Sequence, residues 1–194
     1  KAALVRDGVD TVKVLALAAQ LNVSRSSFYW YFKNRDELLA ALLDHWEERN
    51  TRSIIRQCGL DAGCLNAAAC NFFRCFIDPA LFDRGLDFAV RAWARQEADV
   101  RLRIDAADAA RLQALEAMFM RHGCDATEAD WRARMIYFMQ LGYHALEVQE
   151  TMEVRMARLP GYLEGFTGRV PPQSVIDDFS KYAIQHSGRN WATR

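Results

Sequence analysis

Residues 24–35, SRSSFYWYFKNR, bring together three hydroxyls (Ser24, Ser26, Ser27), two phenols (Tyr29, Tyr31), the indole of Trp30 and three cations, Arg25, Lys33 and Arg35. These groups suit contact with nucleic acid. Arginine and serine reach base edges, while tyrosine hydroxyls and lysine ammoniums suit phosphate oxygens. From Leu21 to Arg35 there are three cations and no acid, although the whole chain balances 25 Lys and Arg against 25 Asp and Glu. The overall charge therefore says nothing about nucleic acid, and the signal is local. By pattern alone, a short amphipathic helix with outward aromatics also suits a protein partner.

The flanking sequence must hold this surface. Val14, Leu17, Ala18 and Leu21 fall on one stripe at helical spacing. Asn22 then suits the left-handed backbone of a tight turn. Ser24 is a good N-cap for a helix to about Tyr31. Phe28 and Phe32 lie four apart and are expected to face inward. Asn34, with Glu37 three residues later, forms a capping box for the next helix, which carries Leu38, Leu42 and Trp46 and extends to about Arg56. Two short helices joined by a tight turn make a helix-turn-helix, whose second helix enters the DNA major groove.

The remaining sequence predicts an all-α chain. Of 194 residues, 51% are hydrophobic, with 4 prolines and 10 glycines, which favours packed helices over turn-rich β structure. Helices are expected near Leu65–Ile77, from Asp78-Pro79 as a short segment, over LDFAVRAWARQ, from Asp99 to His122 with Gly123 as a stop, from Thr127 with Asp130 as a capping box through about Gln149 and on towards Pro160, and from Ser174. No uncharged apolar run is long enough to span a membrane. The start lacks an initiator Met and the features of a signal peptide, so an upstream beginning is expected. Five cysteines, an odd number without CxxC spacing, read as reduced thiols of a cytoplasmic protein.

LAAQLNVSRSSFYWYFKNRDELLAALL resembles the DNA-binding region of TetR-family bacterial transcriptional regulators. In the family pattern, I-A-x-x-x-G-V-S is followed by a φ-Y-x-x-F block and then K-x-x-L. Leu17-Ala18, Val23-Ser24, Tyr29, Phe32 and Leu38 occupy matching positions, and Arg35 stands where Lys is usual. Two residues depart from the pattern. Lys13 replaces a frequent Thr, losing a helix cap but keeping a charge for phosphate. Asn22 replaces the turn Gly. The resemblance implies a helix-turn-helix domain over residues 1–50 and a helical ligand-binding and dimerisation domain over residues 51–194. It also implies a repressor that binds a palindromic double-stranded operator as a homodimer and is released by a small molecule. The DNA-binding set is Lys13, Ser24, Arg25, Ser26, Ser27, Tyr29, Trp30, Tyr31, Lys33 and Arg35.

A dimer requires a second apolar face. The segment 127–149 carries two stripes: Trp131, Met135, Phe138, Gly142 and Ala145, and Ile136, Met139, Tyr143 and Leu146. A helix apolar on two sides is buried on two sides. The expected interface is Leu112, Leu115 and Phe119 with Ile136, Met139, Gly142 and Leu146. The resemblance places an effector pocket among the central helices. Its candidate pool is Phe72, Phe73, Phe76, Phe88, Trp93, Phe138 and Tyr143, with His144 and Glu147 as polar anchors. Ordinary core packing competes for each of these aromatics. Neither a Gly-rich phosphate loop, GxSxG nor HExxH occurs, so no catalytic residue, cofactor or metal is expected. His122 with Cys124 is a weak seed for a metal site. Redox sensing by Cys64, Cys70 or Cys75 would need an exposed, low-pKa thiol.

Overall fold

The computed structural model describes residues 1–186, without the Arg25 side chain, and every regular element among them is helical. The helices are α1 (Ala2–Asp7), α2 (Val14–Gln20), α3 (Arg25–Tyr31), α4 (Arg35–Trp46), α5 (Arg52–Gly59), α6 (Leu65–Ile77), α7 (Arg84–Trp93), α8 (Ala98–Arg121), α9 (Ala126–Ala145), α10 (Met152–Thr167) and α11 (Gln173–His186). A π turn at Glu47–Thr51 interrupts the helical run expected to reach Arg56.

The chain forms two compact units that do not follow chain order. Lys1–Asn50 joins Asp83–Ala107 in the first, and Thr51–Phe82 joins Asp108 onward in the second. Asp83–Ala107 thus packs with the N-terminal helices, although a boundary at residue 50 assigns it to the other domain. Buried Leu39, Leu43 and Trp46 of α4 share a core with Leu86, Val90 and Trp93 of α7. The Trp46 indole N–H donates to the buried Asp87 carboxylate at 2.8 Å, and Asp87 also accepts from Arg91 Nε at 2.8 Å. Asn50, fully buried, accepts from the Asp83 amide and donates to the Asp83 carbonyl, each at 3.0 Å. Satisfied polar groups of this kind fix one arrangement of α4 and α7, because leaving any of them unpaired would be costly.

The second unit is built around α6, in which eleven of thirteen residues are buried. Arg111 is wholly buried here. Its guanidinium donates to Thr51 Oγ1 at 2.9 and 3.1 Å and to Tyr137 Oη at 3.1 Å, while Tyr137 donates to Asp108 at 2.6 Å.

Local chemistry corrects several expected boundaries. Asp78-Pro79 makes a turn in place of a short helix, because Asp78 Oδ1 accepts the Ala80 amide at 2.8 Å. The cap of α9 is Asp125, accepting from Glu128 N at 2.8 Å, and Thr127 lies inside the helix. α9 stops at Ala145, where Glu147 takes a left-handed φ of 49°. Thr151 then caps α10, which runs through Pro160 and ends at Gly168. Buried Leu159, Leu163 and Phe166 hold α10 on both sides of the proline, offsetting its missing N–H.

Candidate nucleic-acid interface and ligand cavity

In the first unit, α2 and α3 meet at a tight turn. Asn22 adopts φ 53°, and the Val23 amide returns to the Ala18 carbonyl at 3.0 Å. Left-handed backbone of this kind is tolerated by Asn and disfavoured for branched residues. Ser24 begins α3 by accepting the Ser27 amide at 3.0 Å. Its Oγ also lies 2.8 Å from the hydroxyls of both Ser26 and Ser27. The three serines therefore already share hydrogen bonds across the start of α3. Phe28 is buried, with its ring 5.5 Å from half-buried Phe32 and 5.8 Å, edge to face, from Tyr29.

The outward residues differ sharply from these. Trp30 is 85% exposed and Tyr31 76% exposed, while Tyr29 is exposed in part. Lys33 stands exposed just after α3. Lys13, also exposed, occupies the N-cap position of α2 without making a cap. Arg25 is the first residue of α3, and its side chain lies outside the described residues. Arg35 turns inward, its Nε donating to the Val12 carbonyl at 2.7 Å and its Nη2 to the Val9 carbonyl at 2.8 Å. It ties α4 to the 3-10 turn Val9–Thr11 of the same unit. Sequence spacing cannot reveal this inward turn, because the carbonyls lie more than twenty residues away.

A two-helix unit with a capped second helix that presents exposed aromatics, flanked by exposed Lys13 and Lys33, is a helix-turn-helix. The family model for bacterial regulatory proteins, tetR family, matches residues 1–42. Over this stretch the chain is similar to that family, whose members are DNA-binding transcriptional regulators. No curated protein and no solved structure matches the chain.

In the second unit, a partly open cavity of about 50 Å³ lies among α6, α9, α10 and α11. Of the expected pool, Phe73, Phe76 and Tyr143 line it. Phe72 is fully buried in the core behind. His144 is buried against Phe76 at 5.3 Å, with its Nε2 3.0 Å from Gln140 Nε2. Phe88 and Trp93 belong to the first unit, Phe138 is 51% exposed, and Glu147 is exposed in the turn after α9. Gln140, Arg155, Met156, Leu159 and Tyr162 complete much of the wall. Arg155, Met156, Leu159 and Tyr162 lie on α10, which the sequence pattern alone runs on from α9.

The expected dimer residues also divide. Leu115, Phe119 and Ile136 are fully buried in the interior of the second unit, which leaves them no face for a second chain. Leu112 and Met139 are partly buried against the same core. Leu146 is 78% exposed, and a Cβ at Gly142 would meet nothing within 4 Å. The apolar residues of α9 that remain exposed form the other stripe, Trp131, Met135 and Phe138.

Buried Cys58, Cys70 and Cys75 are unsuited to redox sensing. Burial pushes the Cys58 and Cys70 thiols up to about 12, outweighing nearby Arg121 and Arg74 respectively. Burial raises Cys75 as well. A reactive thiol needs the opposite shift. Among the described residues, no helix is long and apolar enough to cross a membrane.

Proposed function

We propose that this chain is a cytoplasmic bacterial repressor that binds a palindromic operator as a homodimer and releases it when a small molecule enters the second unit. The observation that carries the reading is α3 itself: a capped helix, anchored by Phe28, that leaves Trp30 and Tyr31 in water beside Lys33. Large exposed aromatics stabilise the free chain little, whereas on DNA they supply apolar contact to base edges and hydroxyls to phosphates. Lys13, Ser24, Arg25, Ser26, Ser27 and Tyr29 complete the contact set. Arg35 serves the fold in place of the phosphates. The reading head falls within residues 1–50, and effector binding and dimerisation fall within 51–194.

One helix-turn-helix reads few base pairs, and a dimer places two recognition helices about 34 Å apart. For the second copy we assign the exposed stripe Trp131, Met135, Phe138 and Gly142, together with Leu146. Small Gly142 allows close helix approach there. Effector binding then favours a state whose half-site spacing no longer matches the operator.

The test is selection of binding sequences from random double-stranded DNA, followed by fluorescence anisotropy on the winner. An enriched inverted repeat, with binding lost in Trp30→Ala, is the expected result. Retention of DNA without any sequence symmetry would remove the dimeric-operator reading.

A further inference from the structure

Resting on the reading of α3 as the recognition helix, we propose that the group it recognises on the operator is the 5-methyl of a pyrimidine, taken against the rings of Trp30 and Tyr31 in the major groove. Thymine carries that methyl, and 5-methylcytosine carries it equally, whereas cytosine and uracil do not. α3 lacks the other means of reading bases. Adenine is read by a side-chain amide bonded to its N6 and N7, and cytosine by a carboxylate accepting from its N4. Residues 23–33, VSRSSFYWYFK, contain no Asn, Gln, Asp or Glu. The amide and acid that follow are engaged in starting α4. Asn34 Oδ1 accepts the Glu37 amide at 2.8 Å, and the Glu37 carboxylate accepts the Lys33 amide.

The serines discriminate little. Ser24 Oγ accepts the Ser27 amide and lies 2.8 Å from the hydroxyls of both Ser26 and Ser27. Ser24 has one hydroxyl proton, so at least one of the other two gives its own proton to Ser24. A lone serine hydroxyl bonds several bases alike. By residue type Arg25 suits guanine, which leaves thymine to the rings. Ser26 and Trp30 lie four apart, on the side of α3 turned away from Phe28. Trp30 is 85% exposed there, and Tyr31 beside it is 76% exposed. An indole has a single donor, and the rest of its edge is C–H. Against a base edge such a surface gains by removing apolar area from water. The pyrimidine methyl is the apolar group that projects into the major groove.

The experiment takes the duplex selected from random DNA, labels it with fluorescein, and replaces single thymines of one half-site by deoxyuridine. This removes the methyl and leaves base pairing unchanged. Anisotropy with the full chain is expected to show at least one thymine whose replacement weakens binding by about threefold to tenfold. Replacing that T·A pair by C·G should weaken binding at least as much, and 5-methylcytosine in place of the cytosine should recover about threefold. The deoxyuridine penalty should fall below about twofold in Trp30→Ala or in Tyr31→Ala, whichever ring meets that methyl. The deoxyuridine series needs no change in the protein, so it decides the matter even where a variant folds poorly. Full affinity for every deoxyuridine duplex, a selected half-site that requires no thymine, no recovery by 5-methylcytosine, or a penalty undiminished in both variants overturns the methyl assignment. Tight binding to an inverted repeat with full affinity for its deoxyuridine forms refutes the methyl and keeps the operator reading. Failure to bind any double-stranded DNA removes both.

Discussion

Helices α3 and α6 are both rich in aromatic residues, SFYWYF in one and NFFRCF in the other, yet their rings meet different surroundings. In α6 the Phe72 ring lies 5.5 Å from Phe73 and 5.0 Å from Phe76, and all three are buried. In α3 only Phe28 is buried, and the three rings after it stand outward. Aromatic content alone therefore says little about role. A ring enclosed by neighbours stabilises the chain by removing apolar surface from water. A ring left in water contributes little until a partner arrives, and the partner we propose for α3 is DNA.

This contrast can be broken most forcefully at Phe72. Phe72→Ala should destabilise the second unit by about 3–5 kcal/mol in urea denaturation, because truncating a fully buried ring leaves a cavity. Trp30→Ala and Tyr31→Ala should leave stability within about 0.5 kcal/mol, while each weakens operator binding by about 1–3 kcal/mol in anisotropy. A Trp30→Ala chain that melts early, or a Phe72→Ala chain that melts like wild type, would collapse the distinction.

Arg35 sharpens the comparison, since it sits beside the reading surface but bonds inward. Arg35→Met should lower stability by about 2 kcal/mol through the carbonyls of Val9 and Val12 left without their donor. The salt dependence of DNA affinity should keep the wild-type slope, and a slope reduced by about one would return Arg35 to the phosphates. Ser24→Ala removes the α3 cap and should cost about 1 kcal/mol of stability. The smallest effect concerns the buried thiols. Cys58 and Cys70 titrate near 12 when folded, against an ordinary 9.0. Their contribution is thus fully present below pH 9 and is lost as pH rises towards 12. The urea midpoint should decline above pH 9, and iodoacetamide at pH 8 should label half-exposed Cys64 before the four buried thiols.

The sequence made the reading head legible because its signals are local. Asn22 at the turn, Ser24 and Asn34 as caps, and Phe28 as anchor each act within a few residues of themselves. The cavity and the proposed dimer face are less legible because they depend on distant packing. α9 carries two apolar stripes of similar character, and only contact with the core of the second unit decides that Ile136 is enclosed and Phe138 is not. Composition alone groups Phe88 and Trp93 with the pocket aromatics, but α7 packs with the first unit. Arg155 and Tyr162 became visible only once Glu147 ended α9 and Thr151 opened a separate α10.

The most direct test of the central claim is operator affinity of the Trp30→Ala, Tyr31→Ala double variant, measured across salt concentrations alongside its urea midpoint. The account predicts an unchanged midpoint, affinity reduced by about a hundredfold or more, and residual binding that remains salt-dependent through the lysines. Wild-type affinity in a fully folded double variant would contradict it, and α3 would then not be the helix that reads DNA.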